Sequence, residues 1–552
     1  MKKLLAPLMA LALIIAGTST SSAGVIWDLN TPTQGIKITE SWTFASHTPI
    51  LYGAVTDKSD SPYYICKTLQ SKECTDAVGI MLINHLPVCT ETLPTNCILN
   101  IYAVDSAGKK SIGSFQKYVS EFGIHDYEAS PINNLPQGKG QGGLWQIPGV
   151  INSSGSDTYY ATTMLNGWLS KPGGTVVSNE RFSFNNIQSA IFPATERQGA
   201  YQPSILLDSS RPGWKQGQEG AVAGMNNSTA QDRDSCLVFE AGSCVITHEF
   251  PEGYRFGMTL NLSDKLRGWF HGRIFTPNID IQTGANNSEV INVEALPVTV
   301  PTLLEKVPTS TISQALRDYL SQPVFHGVSD GYMIPGNSGT EAFESAALWL
   351  PILKDKATTS KTYWNFHTLD MWNEGASVGN CSQATGDLAG IVTTNSLVYS
   401  AGAPTYNSEQ ESLDYKLLSP HYQADGTVAI GTYDLVLRGD VARCIYGFSK
   451  APIKASVSII SAEGEAKVAT VTINEKDGWL YLSAKGFTFS SPTIRVKLSQ
   501  TEPVATPTPT PSPSSSTSPK KATLTITCKK GKALKKVSGA SPICPKGYKK
   551  VA

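Results

Sequence analysis

Residues 469–483 read ATVTINEKDGWLYLS, and this stretch decides the fold class of the chain. Its first half alternates Val471 and Ile473 with threonines, which is the period of two expected of a half-buried β-strand. The dipeptide Asp477-Gly478 then favours a two-residue hairpin turn. Because aromatic and aliphatic residues resume directly after the turn, we predict two antiparallel strands in a mainly β protein.

Short apolar runs of the same kind, separated by turn-forming residues, extend from residue 24 to residue 500. The chain contains 47 glycines and 33 prolines, and only 16% of its residues are charged. Such a composition is typical of loop-rich β proteins rather than helical ones. Near the end of this region, Ile494, Val496 and Leu498 alternate with polar residues, which predicts a half-buried last strand.

A helical pattern replaces the strand pattern between residues 306 and 360. Ile312, Leu316 and Tyr319 are spaced to share one face of a helix. A second helix is expected to begin at Ser338, with Glu341 completing a capping box. The residues that we expect this second helix to bury are Phe343, Ala347 and Leu350.

The predicted architecture is mainly β, with two or three β-sandwich or jelly-roll-like domains and a small helical insert. A glycine-rich linker is expected at residues 137–143. The predicted segments are a signal peptide (1–23), a β domain with two close disulfides (24–136), a second β domain (144–305), the helical insert (306–360), a C-terminal β module (361–500), a Thr/Pro/Ser linker (501–521) and a lysine-rich tail with two cysteines (522–552).

The N-terminal residues have the pattern of a secretory signal. Lys2 and Lys3 precede an apolar run over residues 4–17, and small residues stand before a cleavage site at Gly24. No later stretch reaches the ~18 apolar residues of a transmembrane helix. We therefore expect an extracellular or surface-attached protein without a transmembrane segment.

The ten cysteines are an even number, as expected of disulfide pairs in an exported protein. Three pairs each enclose seven residues, a spacing that a hairpin or tight bend can close. A metal site is the alternative, but no CxxC motif and no histidine at ligand spacing accompany these cysteines. We expect neither a metal nor another cofactor. The predicted pairs are Cys66–Cys74, Cys89–Cys97, Cys236–Cys244, Cys381–Cys444 and Cys528–Cys544.

The C-terminal region combines a stalk-like linker with a cationic tail. Residues 501–521 contain six prolines among threonines and serines, so this segment is expected to stay extended and solvated. Residues 520–552 hold ten lysines and no acidic residue, whereas the rest of the chain has 35 basic and 45 acidic residues.

This charge distribution predicts that the tail binds an anionic polymer. In an exported protein we expect a cell-wall polymer, and nucleic acid is not expected because interleaved aromatic residues are missing. A solubilising terminus without a specific ligand is the alternative. The predicted anion-binding residues are Lys529, Lys530, Lys532, Lys535, Lys536, Lys546, Lys549 and Lys550.

Two parts of the chain resemble known sequences. Residues 441–448 (VARCIYGF), 477–480 (DGWL) and 486–490 (GFTFS) resemble a C-terminal module of uncharacterised secreted and cell-surface proteins of aquatic actinobacteria. Residues 526–528 (ITC) and 544–550 (CPKGYKK) are similar to a short two-cysteine terminus of exported proteins in the same bacteria. The resemblance implies a secreted or surface setting and brings no catalytic residue.

The segment YWNFHTLDMWNEG is the richest local cluster of functional side chains. Trp364 and Trp372 are candidates for stacking on sugar rings, and Asp370 and Glu374 for the two carboxylates of glycoside hydrolysis. His367 lies between them in the predicted ligand-binding set. We favour a strand that faces the core with one polar edge, because the strand–helix alternation of a β/α-barrel glycosidase is missing.

Two shorter motifs have simpler structural interpretations. Residues 336–339 (GNSG) resemble the nucleophile loop of trypsin-like proteases, but we favour helix capping by Ser338. Residues 438–440 (RGD) match an integrin-recognition tripeptide, and we favour a turn there.

The sequence therefore predicts a non-catalytic role in binding, adhesion or envelope structure, with a glycan as a second expected partner. The alternatives are an extracellular hydrolase that acts on polysaccharide and a self-associating surface-layer protein.

Overall fold

The structure is a computed structural model. It describes residues 29–40, 49–54, 63–119, 127–138, 142–170, 181–199, 236–240, 243–322, 328–329, 331–369, 381, 387–449, 453–460, 466–468, 470–489, 493–500 and 524–551. The predicted signal peptide (1–23) and the Thr/Pro/Ser linker (501–521) lie outside the described residues.

Strands make up most of the described secondary structure. The strands in the first part of the chain are β1 (Thr33–Ile38), β2 (Ile50–Ala54), β3 (Tyr63–Ile65), β4 (Gly79–His85), β5 (Cys97–Val104), β6 (Lys110–Ile112), β7 (Ser114–Tyr118), β8 (Gly143–Gln146), β9 (Thr158–Ser170), β10 (Ser183–Gln198), β11 (Cys236–Glu240), β12 (Ser243–Thr247), β13 (Arg255–Leu262), β14 (Gly268–Thr283) and β15 (Glu289–Pro308). The strands in the second part are β16 (Val328–Ser329), β17 (Tyr332–Met333), β18 (Thr359–Tyr363), β19 (Asn365–Thr368), β20 (Leu388–Thr394), β21 (Val398–Tyr399), β22 (Thr405–Asn407), β23 (Ser412–Leu418), β24 (Ile430–Arg438), β25 (Ile453–Ile460), β26 (Ala466–Val468), β27 (Thr470–Lys476), β28 (Trp479–Thr488), β29 (Thr493–Gln500), β30 (Leu524–Lys530), β31 (Ala533–Gly539) and β32 (Lys549–Val551). The α-helices are α1 (Lys72–Thr75), α2 (Gln314–Leu320), α3 (Gly339–Trp349) and α4 (Gly439–Tyr446).

A central sheet organises the body of the protein. Its strands follow the order β3-β2-β4-β9-β10-β19-β14-β20-β24-β28-β27, and β8 also pairs with β9. Neighbouring strands in this path are antiparallel except β14 and β20, which are parallel. One outer sheet has the order β6-β5-β13-β15-β14, and the other has the order β22-β23-β29-β25-β26. Strand β14 belongs to both the central sheet and the first outer sheet, which ties these layers together.

The central sheet is buried on both faces. In β24, Leu435 and Leu437 belong to the core that also contains Val496 of the second outer sheet. Val436 faces the other way, into the core that contains Phe256 of the first outer sheet. Because successive side chains of a strand point to opposite faces, a single strand supplies both cores.

The hairpin at residues 469–483 has the predicted form. Strands β27 and β28 pair in antiparallel register, and Asp477 and Gly478 between them have positive φ angles of 52° and 81°. Two consecutive positive φ angles are the geometry of the hairpin turn that Asp-Gly favours. In the last strand of the body, Ile494, Val496 and Leu498 are buried. The prediction of a mainly β fold with a small helical insert is confirmed.

The helical insert differs from the prediction in its capping. Helix α2 begins after Ser313, whose side chain accepts a hydrogen bond from the Leu316 amide at 3.1 Å. Helix α3 begins after Ser338 as expected, but the Ser338 side chain makes no capping hydrogen bond. The predicted capping box with Glu341 is therefore wrong.

The buried face of α3 agrees with the prediction at Leu350 and differs from it elsewhere. Trp349 is fully buried, together with Ala342 and Ala346, in a core shared with α2. Phe343 is only half-buried and Ala347 is exposed. Burying the large indole of Trp349 removes more apolar surface from water, so it sets the rotation of the helix.

The chain does not divide at the predicted linker. Strand β4 pairs with β9 and β5 pairs with β13, so strands from the two predicted β domains share sheets across residues 137–143. Strands β19, β20 and β24 from the predicted C-terminal module also enter the central sheet. The predicted boundaries within the body are therefore corrected. The two compact units are Met1–Thr501, called the body, and Glu502–Ala552, in which the described residues 524–551 are called the tail.

The disulfides that the structure describes match the predicted pairs, two of which share the close spacing and two of which are formed by the remaining cysteines. Cys244 is also disulfide-bonded, while the side chain of Cys236 lies outside the described residues. The disulfides that the structure describes are Cys66–Cys74, Cys89–Cys97, Cys381–Cys444 and Cys528–Cys544.

A cluster of buried polar groups lies on one face of β14. The Arg273 guanidinium pairs with Glu40 and donates to the carbonyl oxygens of Thr394 at 3.0 Å and Ser396 at 2.6 Å. The His271 ring stacks on Tyr399 with centroids 3.7 Å apart. Neither ring nitrogen of His271 has a hydrogen-bond partner among the described residues.

This environment disfavours a charged His271. Burial lowers the pKa of His271 well below 6.5, and the positive charge of the nearby Arg273 adds to the effect. The folded state therefore binds fewer protons than the unfolded state once the pH falls below about 6.5. The free energy of unfolding decreases as the pH falls further.

Replacing His271 by Phe tests this linkage. We expect the free energy of unfolding of the variant to fall less than that of the wild type as the pH drops from 6.5. One proton taken up only on unfolding corresponds to about 1.4 kcal/mol per pH unit. Urea denaturation at pH 5 and pH 8 measures the difference, and pH 8 serves as the control because both chains are then neutral at this position. An equal decrease in the free energy of unfolding of the two proteins between pH 8 and pH 5 would contradict the lowered pKa of His271.

Candidate functional site

The predicted sugar-binding segment is largely core. Trp364 is fully buried, and its indole Nε1 donates to the carbonyl oxygen of Ala295 at 3.1 Å. Its ring packs edge-on against Phe366, with centroids 5.8 Å apart. Trp364 therefore cannot stack on a sugar, and its proposed ligand-binding role is corrected. The core-facing interpretation of this segment therefore applies to Trp364.

His367 lies on β19 beside the buried polar cluster. Its side chain is half-buried, and its ring centroid is 5.3 Å from that of His271. Loss of solvation, followed by the charge of Arg273, lowers the pKa of His367 to about 4. The other predicted members of the set, Asp370, Trp372 and Glu374, lie outside the described residues.

A cleft of about 470 Å³ lies at strand ends of the body. Its walls come from the β14–β15 connection, the start of β20, the beginning of α4 and the β27–β28 turn. Loops and strand ends on a rigid sheet are where proteins commonly place binding side chains. The charged residues that line it are Lys265, Glu289, Asp387, Arg438, Asp440, Arg443 and Asp477.

An ion-pair network fixes one wall of the cleft. Asp387 accepts hydrogen bonds from Lys265 Nζ at 2.9 Å and from Arg438 Nη1 at 2.8 Å. The opposite edge of the Arg438 guanidinium pairs with Asp440. Burial alone would raise the pKa of Asp387, but the hydrogen bonds from Arg438 and Lys265 outweigh it and lower the pKa. Asp387 therefore remains a carboxylate that both cations hold in place.

Glu289 and Ser288 form a buried corner of the same cleft. The Glu289 side chain is buried, and its Oε2 accepts the Leu266 amide at 2.8 Å. Burial raises the pKa of Glu289. The Ser288 hydroxyl is also buried and has no hydrogen-bond partner among the described residues. This corner therefore offers polar groups that a ligand hydroxyl or a water can satisfy.

The RGD tripeptide belongs to this cleft, and its geometry corrects the predicted turn. Strand β24 ends at Arg438, and helix α4 begins at the next residue. The Gly439 amide donates to the carbonyl oxygen of Gly478 at 2.8 Å, and a Cβ at Gly439 would lie only 3.1 Å from that backbone oxygen. Glycine thus permits a close approach between α4 and the β27–β28 turn. Arg438 and Asp440 pair with each other instead of projecting freely.

The tail forms a small three-stranded sheet with the order β31-β30-β32. Among its described residues only Cys528 is a buried hydrophobic side chain. All eight predicted anion-binding lysines are exposed. The tail therefore presents its positive charge to solvent from a scaffold that the Cys528–Cys544 disulfide closes.

Most of the cleft was missed by sequence reasoning. Lys265, Glu289 and Asp387 come from separate connections and share no motif. Two parts of the cleft carry a local sequence signal, which are the RGD tripeptide at residues 438–440 and the Asp477-Gly478 turn. Their shared location follows only from the pairing of β24 with β28.

Comparisons with known proteins leave the family open. No protein-family model matches the chain, and no curated protein matches it. Within the described residues, no helix is long and apolar enough to cross a membrane. The same part of the chain contains no group of three or more His, Cys, Asp or Glu residues placed to hold a metal ion.

The coupling within the ion-pair network can be measured with a double-mutant cycle of Asp387→Ala and Arg438→Met. We expect a coupling energy of about 1–2 kcal/mol, because a charged hydrogen bond in a partly buried site stabilises by this order. Urea denaturation of the two single variants and the double variant supplies the values. If the losses of unfolding free energy in the two single variants add up to the loss in the double variant, the pair contributes nothing to stability.

Proposed function

We propose that the protein is exported and attached to the cell envelope, where its tail binds an anionic cell-wall polymer. The observation that carries this proposal is the tail sheet, which exposes eight lysines and contains no acidic residue. Disulfides in both units support an oxidising, extracellular setting. We propose from the sequence alone that the proline-rich linker, residues 501–521, serves as the stalk on which the protein is displayed.

The body in this proposal has a non-catalytic binding or adhesive role, and the cleft is its candidate binding site. The lining has three cationic and four acidic side chains, so it suits neither a polyanion nor a polycation. Trp479, which is only 8% exposed, adds an apolar edge to the lining. Fixed polar groups beside one aromatic side chain suit a ligand with many hydroxyl groups, and we propose a neutral oligosaccharide.

A hydrolase acting on polysaccharide is the second candidate. One observation favours it, because the pKa of Glu289 is raised and that of Asp387 is lowered in the same cleft. Glycosidases separate their acid from their base or nucleophile in this way. The two cations bound to Asp387 make it a poor nucleophile, so we favour binding over hydrolysis.

Envelope attachment can be tested with purified actinobacterial cell walls. We compare the full-length protein, a chain that ends at Thr501 and a full-length variant with all eight lysines changed to Gln. The first should bind, and the other two should remain in solution. Salt should release the bound protein, since the screening length falls from about 8 Å to about 3 Å between 0.15 M and 1 M.

The chain that ends at Thr501 keeps β29 complete and therefore the described unit of the body intact. Equal binding of all three proteins, insensitive to salt, would exclude the tail as the anchor. Circular dichroism of each protein checks that the sheets are retained.

The cleft can be tested by blocking it with Thr283→Trp, an exchange at an exposed position on its rim. Calorimetric titration with chitotetraose, cellotetraose and mannotetraose should detect binding to the wild type and its loss in this variant. Thr299→Trp is the matched control, because Thr299 is an exposed strand residue outside the cleft. Binding that survives Thr283→Trp would move the site elsewhere. Release of reducing sugar that Glu289→Gln abolishes would support the hydrolase instead.

A further inference from the structure

The register of the tail sheet divides its lysines between two faces. Residues directly opposite each other in antiparallel strands share a face, and successive residues alternate. Lys529 is opposite Lys549, and Thr527 is opposite Lys536. These side chains define the open face, which also carries Leu534 and Val551 opposite the same two β30 positions.

The second face, called the disulfide face, carries Cys528 with Lys535 and Lys550 opposite it. Cys528 is fully buried and bonded to Cys544, so the loop before β32 lies over this face. Lys530, on the same face, packs against that loop, with its Nζ only 3.2 Å from where a Cβ at Gly547 would lie. The disulfide face is thus partly covered by the tail itself.

Like charges lie side by side on the open face, and the described residues of the tail include no carboxylate side chain to pair with them. Lys529 and Lys549 lie directly opposite each other, and like charges in this position destabilise a sheet. Lys536 is diagonal to Lys529 on the neighbouring strand, so each strand contributes one lysine to a row. Because strands are about 4.8 Å apart, the row is about 10 Å wide. Residues 520–552 contain no carboxylate side chain that could pair with it.

The geometry of this row indicates the kind of anion that fits. A single phosphate can bridge two neighbouring ammonium groups, but three lysines on three strands match a ligand with repeated charges. Lysine binds phosphate well through its point charge and three donors. The exposed side chains of Leu534 and Val551 can contact the carbon segments between phosphates.

A membrane surface fits the open face less well. Proteins that lie in a lipid interface insert aromatic or several large aliphatic side chains. The only aromatic residue of the tail is Tyr548, and it is not on the paired strand positions of the open face.

We propose that the open face of the tail sheet, through the row Lys529, Lys536 and Lys549, binds a linear phosphodiester polymer. This inference rests on the proposed attachment of the tail to the envelope and assigns that contact to one face. Binding places negative charge between Lys529 and Lys549 and so removes their mutual repulsion.

Two triple variants of the full-length protein test the assignment. The first changes Lys529, Lys536 and Lys549 to Gln. The matched control changes Lys530, Lys535 and Lys550 to Gln, which removes the same charge from the same sheet but from the disulfide face. The probe is fluorescein-labelled synthetic poly(glycerol phosphate), and the readout is the dissociation constant from fluorescence anisotropy over a salt series.

We expect the open-face variant to bind about a hundredfold more weakly, with a flatter salt dependence, since each lysine near an anionic surface contributes about one tenfold step or less. The disulfide-face variant, which loses the same charge, should also bind more weakly, but about tenfold less so than the open-face variant. Intact disulfides, checked by mass after alkylation, show that both variants keep the tail closed.

Three other outcomes would each lead to a different conclusion. Equal weakening in both variants would show that only the total charge matters, and would overturn the face assignment while leaving envelope attachment standing. Binding of the wild type to vesicles of phosphatidylglycerol and phosphatidylcholine, but not to poly(glycerol phosphate), would overturn the polymer in favour of lipid. Failure of the wild type to bind cell walls at all would remove the proposed attachment itself.

Discussion

Burial of the central sheet on both faces is the constraint on which the body depends. Side chains in the middle of the central sheet are shielded from water, so a polar group there is stabilised by partners within the protein, and His271 is an exception whose ring nitrogens have none among the described residues. Arg273 has such partners in Glu40 and the carbonyl oxygens after β20. Asp434 accepts from the Thr276 amide at 2.7 Å and the Thr393 hydroxyl at 2.9 Å. Burial nevertheless raises the pKa of Asp434 to about 6, against the effect of these hydrogen bonds.

The same constraint explains where the cleft lies. Side chains in the middle of the central strands pack into the two cores, so charged groups collect where strands end. Arg438 is the last residue of β24, and Glu289 is the first residue of β15. The ion pairs around Asp387 hold these ends in a fixed arrangement, and a fixed arrangement lowers the entropy cost of binding a ligand.

Sequence patterns predict the strands that have one apolar face and one polar face. The alternation at Ile494 and Val496 is visible because the other side of β29 is polar, and Asp477-Gly478 is a strong local turn signal. Burial of Trp364 is not visible locally, since it depends on strands far away in sequence. An indole beside carboxylates suggests a sugar platform, but the hydrogen bond to Ala295 shows a core role. The cleft combines segments from residue 265 to residue 479, so no short pattern could predict it.

The pairing of β1 with β15 has a consequence for how the chain folds. Thr33 is opposite Pro308, so the first strand of the body gains its partner only after about half of the chain has been made. Such non-local pairing slows folding and leaves strand edges unpaired in the meantime. The described disulfides are different, because each closes between consecutive cysteines. Oxidation can therefore follow the order in which the chain emerges, with each loop locked early and the long-range sheets assembled last.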